Sequence, residues 1–264
     1  MTPAISRLVV AAIGAPIVLG LVWLGGWWIV ALAAVAGVIA IHEFWLMVRP
    51  LRPLSLAGYG SLAGILLGAK LGGALWMLGG FLAVFALAFL FQLVSRTRAP
   101  ATVAIGSTVL GAAWIGLGLG SMVLLRELPR HGRLAVFALL LAVWAADALA
   151  YLTGRAIGRR KLAPVLSPGK TWEGFVAGVA AAVFVVFIAL YHQDFLTIGE
   201  SLVLGAVIAV AEAAGDLFES MLKRDMQVKD TGRLLAGHGG MLDRLDALLF
   251  AAPAAYWTIL ALNG

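Results

Sequence analysis

Apolar residues run along this chain in blocks too long for a soluble core. A helix that crosses a bilayer needs about 20 predominantly apolar residues. Nine blocks of that grade follow one another, at roughly 7–25, 27–48, 55–71, 73–94, 102–125, 134–153, 173–191, 198–218 and 246–262. Only "GGWW" parts the first two, which predicts a tight turn, and the third block is short and rich in glycine. The first block follows one arginine, as a signal peptide does. It is longer than a signal peptide's apolar core and lacks a clear small-residue cleavage site, so we read it as a retained span. No repeat of 20–50 residues is evident. The pattern predicts an all-α, polytopic integral membrane protein with about nine transmembrane helices. We expect one membrane domain over 1–264, with scaffold and dimerisation helices in 1–133 and a catalytic half, which carries the polar motifs, in 134–264.

Composition agrees. Hydrophobic residues make up 62% of the 264 and charged ones 12%, with a net charge of +6, where a soluble domain carries about 25% charged residues. The absence of cysteine excludes disulfides and thiolate metal sites. A sequence pI near 10.1 could point to nucleic acid. In a polytopic protein, Lys and Arg collected in cytoplasmic loops account for it without a nucleic-acid partner. With the N-terminus in the cytoplasm, that side receives most of the 19 basic residues, among them Arg49, Arg96, Arg159, Lys170, Lys223 and Arg244, and the far side receives Lys70, Arg126, Arg130 and Arg133. The positive-inside rule supports this orientation.

The acids change the picture more. Most of the 13 fall at the same face, several inside apolar runs: Glu43, Asp147, Glu173, Glu212, Asp216, Glu219, Asp225, Asp230, Asp243 and Asp246. Acids in membrane helices are expensive unless paired, hydrated or bound to metal. Glu212, Asp216 and Glu219 are spaced i, i+4, i+7 and share a helix face, which calls for a neutralising cation. Glu219 fits a solvated helix end as well as a function. Asp243 and Asp246 stand i, i+3, a spacing that suits one Mg²⁺ shared with substrate phosphates; first-turn acids also stabilise a helix dipole. Arg244 between them can clamp a phosphate or face lipid headgroups.

Phosphate chemistry surrounds these acids. "AGHGG" before the last apolar block exposes backbone N–H groups to an anion, through Gly237, Gly239 and Gly240. His238 within it can donate to phosphate, ligate metal or cap the turn. Asp147 and Tyr151 are i, i+4 near the end of the sixth block. "SPGKTWEG" follows, where Ser167 to Gly169 predicts a turn and Lys170 and Thr171 suit phosphate, with Glu173 beside them; Thr171 can also cap the next helix. Ser220, Lys223, Arg224, Lys229 and Asp230 continue from the acidic face. Carboxylates for metal, cations for phosphate and a glycine loop together describe phosphoryl or nucleotidyl transfer. At a membrane face, the substrates expected are a phospholipid and a soluble nucleotide.

The series S-x-x-K-R-x(4)-K-D and G-H-G-G-x-x-D-R-x-D, running from Ser220 to Asp246, closely resembles the signature of phosphatidate cytidylyltransferase, also called CDP-diacylglycerol synthase. "D-x-x-A-Y-x-x-G-R" from Asp147 and "S-P-x-K-T-x-E-G" from Ser167 look like two further motifs of that family. Gly169, Ala236 and Ala247 depart from it where Lys, Pro and Ser are usual. The resemblance implies Mg²⁺-dependent conversion of CTP and phosphatidate to CDP-diacylglycerol and pyrophosphate. It also implies a homodimer in a bacterial inner membrane with the site facing the cytoplasm, and K⁺ as a candidate second cation. It carries metal binding onto Asp216, Asp243 and Asp246. Catalytic roles are expected for Asp147, Lys223, Arg224, Lys229, Asp230, His238 and Arg244. Substrate contacts are expected for Tyr151, Ser167, Lys170, Thr171, Glu173, Ser220, Gly237, Gly239 and Gly240. A transferase acting on another membrane lipid is the nearer alternative. An ion-coupled transporter is the distant one: it calls for mid-bilayer acids on symmetric halves, and the acids here gather at one face.

Overall fold

The computed structural model describes residues 3–94, 100–232 and 240–263, and its helices follow the apolar blocks. They are α1 (Pro3–Leu24), α2 (Trp27–Met47), α3 (Ser55–Val94), α4 (Ala101–Gly111), α5 (Gly118–Arg126), α6 (Gly132–Ile157), α7 (Trp172–Leu190), α8 (Ile198–Asp225) and α9 (Leu242–Asn263). A π-helical segment, Ala112–Leu117, joins α4 and α5 into one span. Among the described residues seven helices are long and apolar enough to cross a membrane. Large apolar side chains such as Leu75, Phe89, Phe184 and Val203 face outward, which is tolerable when the surrounding solvent is lipid. The chain is an all-α polytopic membrane protein.

The 40-residue α3 would reach about 60 Å if straight, twice a bilayer's hydrocarbon core. It turns back at Gly73, whose φ of 69° and ψ of −156° suit only a residue without Cβ. The two arms then run antiparallel at close range. Ser61 Oγ donates to the carbonyl of Gly80 at 3.1 Å, and a Cβ on Gly80 would strike the backbone of Gly64 and Ile65. Small residues allow such approach in lipid, where packing replaces the hydrophobic effect. The third and fourth expected spans are therefore the arms of one hairpin.

The chain forms two compact units. The first comprises Met1–Glu127 with Met226–Leu245. Its core holds Ile29, Ile41, Phe44, Leu62, Ile65, Ile115 and Leu125. The turn expected at "GGWW" is present, with positive φ at Gly25 and Gly26. Arg126 closes it by donating from Nε to the Val22 carbonyl at 2.8 Å and from a terminal nitrogen to that of Trp23 at 3.1 Å. These carbonyls have no intrahelical donor, so the guanidinium satisfies the end of α1. Lys70 and Glu127 pair at 2.9 Å.

The second unit comprises Leu128–Asp225 with Asp246–Gly264. Its core includes Leu139, Ala182, Leu204, Ile208 and Ile259. Between α6 and α7 lies an element absent from the sequence reading, an antiparallel ribbon of β1 (Lys161–Ala163) and β2 (Ser167–Thr171). Lys161 pairs with Thr171 and Ala163 with Ser167. The turn expected at Ser167–Gly169 is therefore displaced to residues 164–166, and "SPGKT" is strand. Pro168, which cannot donate to a ladder, is exposed in this two-stranded edge. α8 also outruns its expected block by seven residues, from 218 to Asp225, so Ser220, Lys223 and Arg224 ride on helix.

Candidate active site

The ribbon delivers β2 straight into α7. Thr171, buried, takes the N-cap position, and its Oγ1 accepts from the Gly174 backbone at 3.2 Å. Glu173 accepts the backbone N–H groups of Arg159 and Arg160 at 3.1–3.3 Å, and so fastens the exit of α6 to the entry of α7. A Cβ on Gly174 would meet the Ala150 carbonyl and Thr171 Oγ1, so the motif glycine is what lets α7 lie against α6. Thr171 and Glu173 thus organise the junction that presents Lys170.

Beside this junction opens a cavity of about 590 Å³, lined in part by Asp147, Tyr151, Ser167, Lys170, Thr171, Glu212 and Asp216. The i, i+4, i+7 stripe of α8 meets a different partner at each step. Glu212, buried, shares a side-chain hydrogen bond with Asp147 of α6. Asp216 pairs with Lys170 Nζ at 2.6 Å and accepts from Ser220 Oγ at 3.4 Å. Glu219, only 1% exposed, pairs with Lys223 Nζ at 2.7 Å and shares a side-chain hydrogen bond with Asp246 of α9. Of the two readings of Glu219, the solvated one fails.

Five carboxyl groups and two lysines therefore stand together. Acids in contact need a proton or a cation between them, and two ammonium groups leave an excess of acid. The donor set is all oxygen, which suits a hard divalent cation such as Mg²⁺. Asp246 of α9 acts electrostatically on both Asp216 and Glu219 of the α8 stripe. Among the described residues no three His, Cys, Asp or Glu side chains form a metal cage by themselves. Mg²⁺ sites need none, because they commonly use one or two carboxylates and fill the rest with water and substrate phosphate.

Arg224 Nε approaches the Leu166 carbonyl at 3.4 Å, a weak tie between the end of α8 and the ribbon turn. Arg155 donates to Tyr151 Oη at 3.1 Å one turn along α6. Glu212 and Glu219 stand in the acidic stripe and Arg155 closes the D-x-x-A-Y-x-x-G-R motif, but none of the three is among the expected site residues. The stripe itself is the signal for the first two, and the last position of the motif is the signal for Arg155.

The remaining expected residues belong to the first unit. Lys229 and Asp230 are exposed. Asp243, in the first turn of α9, accepts from the Gly240 backbone at 2.6 Å and from Thr231 at 3.3–3.4 Å. Its carboxyl group thus ties the two described ends of the loop before α9. Arg244 follows on the exposed side of that turn. Gly237, His238 and Gly239, with Ala236, lie outside the described residues.

These features match a known class. Residues 5–262 match the family model described as "Cytidylyltransferase family", and the chain belongs to that family. Its curated relatives include proteins named phosphatidate cytidylyltransferase. The one from Mycobacterium bovis is 34% identical over 270 residues, covering 95% of this chain and 86% of that protein. The one from Staphylococcus haemolyticus is 32% identical over 253 residues, covering 94% and 95%. The Haemophilus influenzae protein is 45% identical over 130 residues, a stretch that spans 47% of this chain and 45% of the relative.

Proposed function

We propose that this protein transfers the cytidylyl group of CTP to phosphatidate, forming CDP-diacylglycerol and releasing pyrophosphate. The observation that carries the proposal is the concentration of five carboxyl groups with Lys170 and Lys223 along α6, α8 and α9, beside a cavity with both polar and apolar walls. Family membership and the relatives' name support the choice of substrates.

In this reading a phosphate oxygen of phosphatidate attacks the α-phosphorus of CTP. A new P–O bond forms, the bond between the α-phosphorus and the bridging oxygen to the β-phosphorus breaks, and that oxygen leaves with pyrophosphate. Phosphatidate brings its own nucleophile, so no covalent protein intermediate is needed. Lys170, held by Asp216 at the mouth of α7, binds a phosphate and orients it. Lys223, Arg224 and Arg155 add positive charge for the triphosphate or the lipid phosphate. Asp147 and Glu212 set the position of the α6 face against α8. Asp216 and Asp246 would hold Mg²⁺, which when bound would neutralise charge on phosphate oxygens; the family resemblance adds Asp243 to the metal-binding residues and a second cation such as K⁺. The same resemblance supports a homodimer, and the basic loops support an inner-membrane location with the site and the N-terminus cytoplasmic.

The test uses purified full-length protein in detergent with Mg²⁺, phosphatidate and CTP labelled at the α-phosphate. Label is expected in the organic phase, one pyrophosphate per label, and none when phosphatidate is omitted or EDTA is added. Label released as CMP without capture by lipid contradicts the reading.

A further inference from the structure

Glu43 lies near the end of α2, far in sequence from every motif above, and is 4% exposed. Its Oε2 accepts the backbone N–H of Leu242 at 2.9 Å, across 199 residues of chain. Leu242 is the first residue of α9, and the first N–H groups of a helix have no intrahelical acceptor. The usual solution is a local Ser, Thr, Asp or Asn. Here the acceptor comes from a different helix.

The same carboxyl group also shapes the chain on either side. A Cβ on Gly232 would collide with Glu43 Oε1, and one on Gly240 with Glu43 Oε2 and Thr231 Oγ1. Both glycines therefore approach the carboxyl group as closely as a backbone can. Asp243 takes the next N–H groups, those of Gly240 and Thr231. Two acids thus divide the donors at the head of α9: Glu43 takes Leu242, and Asp243 takes the loop. Glu43 Oε1 and Thr231 Oγ1 are buried beside them with no hydrogen-bond partner among the described residues.

From this geometry we infer that Glu43 is a positioning residue for the transfer reaction. It fixes the first turn of α9 and the glycine edges beside it, and so sets where the Asp243 turn presents its groups. The inference rests on the proposed cytidylyl transfer for its effect on rate, but not for its structural part.

The experiment compares full-length wild type, Glu43→Ala and Glu43→Gln in detergent. Hydrogen exchange is read at the amides of Thr231, Gly240 and Leu242, and cytidylyl transfer to phosphatidate with CTP varied. Leaving a buried N–H without its acceptor is worth about tenfold or more. Glu43→Ala is therefore expected to speed exchange at these amides by about that factor and to lower kcat per folded molecule by about tenfold, with exchange in α7 unchanged. Glu43→Gln keeps an acceptor oxygen and is expected to restore both to within about threefold. Should Glu43→Ala not fold, Gly232→Ala replaces it, since the new Cβ displaces the carboxyl group, and the same local pattern is expected. Wild-type exchange and kcat in Glu43→Ala overturn the inference. So does a glutamine variant as impaired as the alanine one, or a loss of activity that only tracks the folded fraction. If wild type transfers no cytidylyl group, the activity reading fails while the exchange arm still decides the role of Glu43.

Discussion

Acids at the ends of apolar helices do opposite work in the two units. In the first unit Glu43 and Asp243 spend their oxygens on backbone N–H groups, of Leu242 in one case and of Thr231 and Gly240 in the other. In the second, Asp147, Glu212, Asp216, Glu219 and Asp246 meet one another and two lysines, beside a cavity. The first arrangement satisfies donors that the fold would otherwise orphan. The second gathers like charges that the fold alone does not need, and proteins keep such strain where chemistry requires it. The residue types are the same in both; what differs is the partner, backbone donors in the first unit and other side chains in the second.

Breaking the second arrangement should produce the largest effects on rate. Asp216→Ala removes the partner of Lys170 and a proposed metal ligand, and transfer is expected to fall by about a thousandfold or more, measured as label reaching lipid. The melting temperature should change little, because losing the Lys170 ion pair is offset by removing one repelling acid. A marked fall would place Asp216 with the acids that serve the fold. Lys170→Met comes next. It leaves the junction made by Thr171 and Glu173 in place, and a loss of about a hundredfold is expected, with KM for CTP or phosphatidate raised according to which phosphate the lysine holds.

The first arrangement should break differently. Asp243→Ala orphans the Gly240 and Thr231 donors, at a cost of about 1–3 kcal/mol. Thermal unfolding in detergent should therefore occur at lower temperature, whatever the variant does to transfer. Unchanged stability would erase the contrast between the units. The smallest effect concerns Gly169, exposed on β2 with no atom within 4 Å of where a side chain would begin. Gly169→Lys adds a cation in open space near Lys170. It should leave folding unchanged and lower KM for CTP by only a few-fold, in the range of surface charge effects.

Much of this was legible in the chain. Span positions followed from apolar block length, because lipid permits few backbone arrangements other than complete helices. The α8 stripe followed from helical spacing, and Lys170 and Lys223, which the structure places beside its acids, from the motifs. What escaped the sequence was contact between distant segments. Glu43 looked like one more acid at a helix end, because nothing local signals that Leu242 is its partner. The β1–β2 ribbon was hidden by Pro168 and Gly169, which mark a turn more often than a strand. The burial of Glu219 was ambiguous because a helix end can be wet or covered, and only the packing of α9 beside it decides. Asp147 and Glu212 carried no sign in the sequence that they face each other.

The claim that Asp216 and Asp246 serve the reaction, not the fold, is tested most directly by kcat and melting temperature of Asp246→Asn, measured on the same purified sample. The substitution keeps the size of the side chain beside Glu219 and removes its carboxyl group. The account predicts label transfer from CTP to phosphatidate reduced by about a thousandfold or more, with the melting temperature unchanged or raised. Wild-type turnover, or lost turnover matched by lost folding, would contradict it.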